Sequence, residues 1–306
     1  MLILIAGITG SMGTLLTYES LKRGHTMRGL GRDASRLSSD LKDKIEFVEY
    51  KNYHDEEALD RACLGCDAVI CAYAMQSELQ LEGQLFLLRA ADRAGVKKFV
   101  ADSWNGDYRT MSLGFQESYD PYIAFRAQSQ LESKIKPIYM LTGCFAEVLL
   151  GTYHTNLESN PWKLEKGELR IWGTGNETMA ASPMPDAAGW TIRVLEREDA
   201  EEGGDWFVYS FRTSYRELAK VYGDVTGNHI EIITEGSLEE LSKVERRERA
   251  AGDKTQFWEY LGWTYLKNMH GGVFDSATDE HNAEFPPESR TSIEDFVKQQ
   301  LRMQKS

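Results

Sequence analysis

Apolar runs and amphipathic stretches alternate through the first half of the chain. Continuous apolar runs of four to eight residues are typical of buried strands, and apolar residues three or four apart are typical of helices. The pattern predicts strands at residues 2–6, 26–30, 45–50, 68–72, 98–101 and 138–141, and helices that include residues 34–41, 56–63, 78–94 and 122–133. Strands that alternate with helices predict an α/β fold with a doubly wound parallel sheet.

Three glycines follow the first predicted strand directly, in the segment Gly7-Ile-Thr-Gly10-Ser-Met-Gly13. Glycines at such a turn let the backbone approach a diphosphate, and the next helix points its free N–H groups at the anion. A tight turn without a ligand is the alternative, but the strand–helix–strand setting is the one that the motif requires. We therefore predict nucleotide binding through Gly7, Thr9, Gly10, Ser11, Met12 and Gly13.

The pattern changes near residue 150. Six of the seven tryptophans lie after this point and all four cysteines lie before it. We predict a Rossmann nucleotide-binding domain at residues 1–150 and a smaller, mostly helical substrate lobe at residues 151–306, with some chain returning to the sheet. In the lobe, Ser214, Ser237 and Thr291 each precede a glutamate by three residues, which predicts three helices that begin with capping boxes.

Composition narrows the class of protein. The formal charge of −13 argues against a nucleic-acid partner, because no basic stripe is present to contact phosphates. No apolar run approaches the ~20 residues that cross a bilayer, and the first strand begins at residue 2, so we expect a cytoplasmic protein without a leader or a membrane segment. Cys63 and Cys66 have the spacing of a redox or zinc pair, but no second pair exists, so we expect core residues and no metal.

Several segments, in this order along the chain, resemble the NmrA-like branch of the atypical short-chain dehydrogenase/reductases, which includes isoflavone-reductase-like enzymes. They are the glycine turn, Gly31-Arg-Asp33, the run at residues 90–103, Gly143-Cys-Phe-Ala-Glu147, Trp172-Gly-Thr-Gly175, Asp186-Ala-Ala188, Glu217-Leu and Thr226-Gly227. The resemblance covers nearly the whole chain and implies an NADP(H)-dependent oxidoreductase. Several fungal members of this group modify secondary metabolites, so the resemblance also implies a biosynthetic role.

The end of the second strand distinguishes NAD from NADP. An acidic side chain there favours NAD, because it binds the ribose hydroxyls. The resemblance implies that Arg32 instead holds the 2′-phosphate of NADP, which suits a guanidinium. The alternative is that Arg32 faces solvent and Asp33 binds a 2′-hydroxyl; we favour NADP(H). The further predicted cofactor contacts are Lys51, Asn52, Tyr53, Ala72, Tyr73, Ala74, Ser103, Arg126, Gly143, Cys144 and Phe145.

A short-chain dehydrogenase uses a hydroxyl to hold the substrate, a tyrosine to move the proton and a lysine to bind the nicotinamide ribose. Ser103 follows the fifth strand, Tyr122 opens the next helix, and Arg126 stands at the lysine position on the same helix face. Arginine stays protonated, so it can bind ribose but does not relay a proton. We predict that these three residues are catalytic. The alternative is that Tyr122 packs after Pro121 and Arg126 forms a surface ion pair.

The segment at residues 257–270 is unusually aromatic. Part of such a helical stripe is ordinary core, but together its residues favour an apolar pocket for a bulky aromatic or polycyclic small molecule. The predicted pocket residues are Trp104, Asn105, Asp107, Tyr108, Glu147, Trp258, Tyr265 and Met269.

The predicted activity is hydride transfer between NADP(H) and a carbonyl, imine or conjugated carbon of such a molecule. Two alternatives stay open. One is a cofactor-assisted cyclase, such as a cycloaddition catalyst, and it is suggested by Arg126 in place of lysine. The other is a non-catalytic regulator that senses NADP. The sequence does not indicate whether the chain forms oligomers.

Overall fold

A computed structural model describes residues 1–151, 159–275 and 280–303 of the chain. Its strands are β1 (Leu2–Ala6), β2 (Thr26–Gly31), β3 (Ile45–Glu49), β4 (Ala68–Cys71), β5 (Lys98–Val100), β6 (Ile138–Leu141), β7 (Cys144–Phe145), β8 (Trp162–Lys163), β9 (Glu168–Trp172), β10 (Met179–Ser182), β11 (Gly204–Phe207), β12 (Phe211–Thr213) and β13 (Glu231–Gly236). Its α-helices are α1 (Ser11–Lys22), α2 (Glu56–Cys63), α3 (Gln84–Arg93), α4 (Asp120–Glu132), α5 (Ala146–Leu149), α6 (Met184–Leu195), α7 (Tyr215–Thr226), α8 (Leu238–Ala251), α9 (Trp258–His270) and α10 (Ile293–Met303).

Seven strands form one sheet in the order β11-β6-β5-β4-β1-β2-β3. Neighbouring strands from β3 to β6 are parallel, with Leu2 opposite Thr26 and Ile3 opposite Ala68. The order reverses direction beside β1, which is the crevice where doubly wound sheets bind dinucleotides. Ile3, Leu4 and Ile5 are fully buried, as expected for a central parallel strand that is covered on both faces. The predicted α/β fold is confirmed.

Two predicted helices differ from the observed elements. Residues 34–41 form only the 3₁₀ turn Ala34–Arg36, which the Asp33 side chain caps by accepting the N–H of Ser35. The helix predicted at residues 78–94 begins with a π-helical turn, Leu79–Gly83, and continues as α3. A π turn carries one extra residue per hydrogen-bonded ring, so the apolar spacing that predicted one continuous α-helix hides it.

Of the three predicted capping boxes, one is complete and a second forms only its side-chain cap. The Ser214 hydroxyl accepts the N–H of Glu217, and Ser237 forms a full capping box with Glu240. The cap predicted at Thr291 is wrong by one residue. Ser292 accepts the N–H of Asp295 at the start of α10, whereas the Thr291 hydroxyl donates to Asp186 at 2.8 Å.

The chain divides into two compact units. The first unit comprises Met1–Trp104, Tyr108–Leu141 and Ala187–Trp206, and the second comprises Asn105–Asp107, Thr142–Asp186 and Phe207–Ser306. The predicted boundary at residue 150 therefore lies within the second unit. Besides helices, the second unit contains the three-stranded sheets β12-β10-β7 and β13-β9-β8. None of the helices in the described part of the chain is long and apolar enough to cross a membrane.

Candidate cofactor and active site

The turn after β1 is packed so tightly that side chains do not fit at two of its glycines. Gly7 has a φ of +81°, and a Cβ there would lie 2.1 Å from the carbonyl oxygen of Ala72. A Cβ at Gly13 would lie 2.3 Å from the carbonyl oxygen of Gly7. The N–H of Gly10 donates to that same oxygen at 2.9 Å and closes the turn. The glycines thus bring the start of α1 close to the end of β1.

The first turn of α1 is open to an anion. Gly10 is the N-cap residue, no side chain caps the helix, and the first turn carries no acidic residue. Gly10 and Ser11 are exposed, and Thr9 and Met12 are partly exposed. A helix leaves its first N–H groups without intrahelical partners and carries a partial positive charge at that end. This arrangement suits a diphosphate group.

The two charged residues after β2 differ in what binds them. Arg32 is exposed and forms no hydrogen bond or ion pair with any described residue. The Asp33 carboxylate accepts the N–H of Ser35 at 2.8 Å. Hydrogen bonds from Ser35 hold the pKa of Asp33 below its ordinary value. Asp33 is therefore engaged in its own turn, while the Arg32 guanidinium is available to a phosphate group.

Three of the predicted cofactor contacts, Lys51, Asn52 and Tyr53, form a turn after β3. Its conformation is set locally, since Asp55 accepts the N–H of Lys51 at 3.1 Å and the Asn52 side chain accepts the N–H of His54 at 2.9 Å. The side chains of Lys51 and Asn52 are exposed, and Tyr53 is partly buried. Their predicted contact with the cofactor stays a prediction.

Three further predicted cofactor residues follow β4, and they differ in exposure. Ala72 and Tyr73 are buried, whereas Ala74 is exposed. The Tyr73 ring belongs to the core of the first unit, and burial raises the pKa of its phenol. Ala72 faces Gly7 across the closest approach in the glycine turn. Among these three, Ala74 is therefore the residue that solvent, and hence a ligand, reaches most easily.

Ser103 is fully buried beyond the end of β5. Its hydroxyl donates to the carbonyl oxygen of Ala101 at 3.0 Å and accepts the N–H of Met140 at 2.8 Å. These bonds tie the chain after β5 to β6. They favour a structural role for Ser103, and its predicted contact with the substrate stays a prediction.

A buried polar network that the sequence reasoning missed surrounds Tyr122. The Gln80 amide nitrogen donates to the phenolic oxygen of Tyr122 and, at 3.4 Å, to Oδ2 of Asp102. Gln84 accepts the N–H of Asp102 at 2.7 Å and donates to the carbonyl oxygen of Gln80 at 2.9 Å. The available signal was a pair of glutamines four residues apart, on a helix face that is otherwise apolar.

Asp102 is the acid of this network, and its side chain is only 8% exposed. Burial raises the pKa of Asp102 to about 7, although the hydrogen bond from Gln80 acts in the opposite direction. Such a carboxyl group changes its protonation state near neutral pH, where ordinary carboxyl groups are ionised. A strongly perturbed acid at the carboxyl end of a central strand is typical of functional sites.

Tyr122 and Arg126, which were predicted to share one site, make separate contacts. The Arg126 guanidinium binds both carboxylate oxygens of Asp205, at 2.5 and 2.8 Å. It also lies 4.4 Å from the centre of the Tyr139 ring. These contacts engage the guanidinium within the first unit, and its predicted contact with the cofactor ribose stays a prediction.

An aromatic cluster surrounds Tyr122. Its ring lies 5.6 Å from Tyr108 and 5.9 Å from Tyr119, measured between ring centres. Tyr108 is nearly fully buried, and burial raises its pKa. Trp104 is buried as well, and its indole N–H donates to Thr191 at 2.9 Å. The cluster therefore packs against the ring of Tyr122, whereas the polar network contacts its hydroxyl.

The remaining predicted site residues belong to the second unit: Asn105, Asp107, Gly143, Cys144, Phe145, Glu147, Trp258, Tyr265 and Met269. A Cβ at Gly143 would lie 2.3 Å from the carbonyl oxygen of Ala180, which also accepts the Cys144 thiol at 3.4 Å. Burial raises the pKa of Cys144 to about 12, so this cysteine stays a thiol near neutral pH. Glu147 is buried, and its carboxylate accepts the N–H of Met184 at 3.0 Å.

The aromatic helix α9 contains three predicted pocket residues, of which one is buried and two are partly exposed. Met269 is buried, and its sulfur accepts a hydrogen bond from Tyr215 at 3.2 Å. Trp258 and Tyr265 are partly exposed, and the Tyr265 ring lies 6.1 Å from Phe274. Contact of these residues with a substrate stays a prediction.

A family model described as the NmrA-like family matches residues 1–245. The chain belongs to the NmrA-like family. It is similar to Photosystem II assembly factor Ycf39 of Synechocystis, with 26% identity over 240 residues that cover 76% of this chain and 70% of that protein. It is also 27% identical to isoflavone reductase homolog P3 of Arabidopsis thaliana over 211 residues, 63% of this chain and 64% of that relative. The chain thus spans slightly less than two thirds of the second relative.

Solved structures of the same fold extend this likeness over nearly the whole chain. The binary complex of leucoanthocyanidin reductase and NADPH from Vitis vinifera has a TM-score of 0.78 at 17% identity and covers 98% of this chain and 99% of that one. At this level of identity the likeness shows the fold. The family resemblance read from the sequence is confirmed.

Proposed function

We propose that this NmrA-like protein is an NADP(H)-dependent oxidoreductase that acts on a bulky aromatic small molecule. Two features together carry the proposal. No side chain caps the start of α1 after the glycine turn. Arg32 is exposed and forms no ion pair with a described residue, whereas the neighbouring Asp33 carboxylate accepts the N–H of Ser35. The first part suits the diphosphate of a dinucleotide, and the second part favours a 2′-phosphate over a 2′-hydroxyl.

The residues present fit the cofactor. Cβ atoms at Gly7 and Gly13 would meet backbone within 2.3 Å, so a larger residue at either position would disrupt the turn. In this proposal the N–H groups at the start of α1 hold the diphosphate and Arg32 holds the 2′-phosphate. The cofactor, when bound, supplies or accepts a hydride at its nicotinamide ring.

Tyr122 is the group that we propose to exchange a proton with the substrate oxygen or nitrogen. Its phenolic oxygen is held by Gln80, and its ring is packed among aromatic side chains. Arg126 is bound by Asp205 through two hydrogen bonds, so we assign it the role of fixing α4 rather than that of a proton relay. The similarity to isoflavone reductase homolog P3 and to leucoanthocyanidin reductase supports a reductase.

The cofactor assignment is tested by titrating NADPH and NADH into the wild type and Arg32→Glu. We expect the substitution to weaken NADPH binding by about a hundredfold, because it replaces a charge-assisted bidentate contact with repulsion, and to change NADH binding by less than about threefold. Arg36→Glu changes another exposed arginine of the same turn and is the matched control. Equal losses for both cofactors would contradict the assignment to NADP.

The reductase is separated from the two alternatives by product analysis. The protein is incubated with NADPH and aromatic ketones, imines or enones, and both NADPH and product are quantified. Loss of one NADPH per product supports the reductase, and product formed without net loss supports a cyclase. Binding without turnover supports a regulator. The similarity to a photosystem II assembly factor is the observation that favours this alternative.

A further inference from the structure

Gln80 occupies an unusual position in the first unit. Its side chain is only 2% exposed, and it lies in the π-helical turn Leu79–Gly83 just before α3. Single π turns within helices are rare and occur often at functional sites. A buried amide needs hydrogen-bond partners, and those of Gln80 are the two titratable groups at the end of β5 and the start of α4.

One nitrogen atom of Gln80 serves both groups. It donates to the phenolic oxygen of Tyr122 and to Oδ2 of Asp102. An amide nitrogen carries two hydrogens, so both bonds can form at once. An ionised carboxylate only accepts hydrogen bonds, so above the pKa of Asp102 this residue orients the amide with its nitrogen, and not its oxygen, towards Tyr122.

Gln84 holds the other end of this arrangement. Its amide oxygen accepts the N–H of Asp102 at 2.7 Å, and its nitrogen donates to the carbonyl oxygen of Gln80 at 2.9 Å. Gln84 is fully buried. The backbone of Asp102 and the backbone of Gln80 are therefore bound to the same side chain, which links the two segments from which the Asp102 and Gln80 side chains extend.

The cation expected beside the tyrosine is engaged elsewhere. Arg126, four residues after Tyr122, binds both oxygens of Asp205 and lies over the ring of Tyr139. The amide nitrogen of Gln80 donates a hydrogen bond to the phenolic oxygen of Tyr122. A neutral amide therefore contacts the phenolic oxygen of Tyr122, while the arginine at the predicted lysine position binds Asp205.

We infer that Gln80 is a positioning residue for Tyr122: it fixes the phenol and stabilises the phenolate oxygen after the proton has left. This inference rests on the proposed function. In the reductive direction the phenolic O–H bond breaks, the proton goes to the substrate oxygen or nitrogen, and the electron pair stays on the phenolate oxygen. The Gln80 N–H bonds that oxygen, and a proton from water restores the phenol.

The inference is tested kinetically with Gln80→Leu, which removes the donor at similar volume. We expect kcat to fall by about tenfold to a hundredfold, less than for loss of a dedicated oxyanion donor, with KM and NADPH affinity within about threefold of the wild type. Gln130→Leu makes the same change at an exposed site on α4 and should leave all three values unchanged. An unchanged kcat for Gln80→Leu in an active enzyme would overturn the inference.

A spectroscopic measurement decides the same point without turnover. The protein is labelled with 3-fluorotyrosine, and the Tyr122 resonance is identified by its loss in Tyr122→Phe. We expect Gln80→Leu to displace this fluorine resonance and Gln130→Leu to leave it in place. If it stays unmoved, the inference fails even where NADPH binding supports the proposed function. Should Gln80→Leu not fold, Gln80→Met removes the same donor with an unbranched side chain.

Discussion

The carboxyl group of Asp102 is nearly fully buried, and its pKa of about 7 makes the stability of the fold depend on pH. The ordinary value for this group is 3.8. Between these two values the unfolded chain has lost the proton while the folded chain still binds it. The free energy of unfolding therefore falls as pH rises through this range, by about 4 kcal/mol in total, and levels off above it.

Asp102→Asn should remove this dependence, because asparagine has no proton to lose and still accepts the hydrogen bond from Gln80. We expect the variant to gain stability relative to the wild type as pH rises from 4 to 7, and the difference to stay constant above pH 7. Urea unfolding followed by tryptophan fluorescence measures it. Asp43→Asn, at an exposed carboxyl group, is the control and should show no such trend. If the stability of both variants depends on pH in the same way, the raised pKa of Asp102 is contradicted.

At the scale of single elements, the junction of β1 and α1 depends on Gly13. A Cβ there would lie 2.3 Å from the carbonyl oxygen of Gly7 and 2.8 Å from the Cα of Ile8. Both atoms belong to the backbone, so α1 has to move. We expect Gly13→Ala to lower the free energy of unfolding by about 1–3 kcal/mol, the usual cost of overpacking.

The same substitution should also weaken NADPH binding by about tenfold or more, since the displaced helix no longer points its N–H groups at the diphosphate. Denaturant unfolding and a cofactor titration measure the two effects. Gly189→Ala is the matched control, because a Cβ at Gly189, inside α6, meets no atom within 4 Å. That change should stabilise the protein slightly, by about 0.5–1 kcal/mol. A Gly13→Ala protein with normal stability and normal binding would show that the turn tolerates a side chain.

The elements that the sequence predicted well are those whose signal is local. Strands such as β4 are buried on both faces and read as continuous apolar runs, and the glycine turn is specified within seven residues. The π turn was missed because it inserts one residue without changing which residues are apolar. The partners of the catalytic candidates were missed because they are distant in sequence: Tyr122 bonds a residue 42 positions away, and Arg126 bonds one 79 positions away.

At the scale of the whole molecule, the charge of −13 opposes an anionic ligand, so cofactor binding has to depend on local groups. Those groups, the glycine turn and Arg32, all lie in the first unit. The opposing net charge is screened over roughly 10 Å at moderate salt, whereas a direct contact between Arg32 and a phosphate is screened less. Raising the ionic strength should therefore weaken NADPH binding less than Arg32→Glu does.

A ligand that binds only the folded protein raises the free energy of unfolding, by about 2.7 kcal/mol when its concentration is a hundred times its Kd. NADPH, which binds the cofactor groups of the first unit in this proposal, should therefore raise the temperature at which the protein unfolds. NADH at the same concentration should raise the unfolding temperature much less, because NADH has no 2′-phosphate for Arg32 to bind. Differential scanning calorimetry with each cofactor measures both shifts, and Arg32→Glu is the comparison that should abolish the difference. Equal shifts for NADPH and NADH in the wild type would contradict the role of Arg32 and leave the glycine turn as the source of binding.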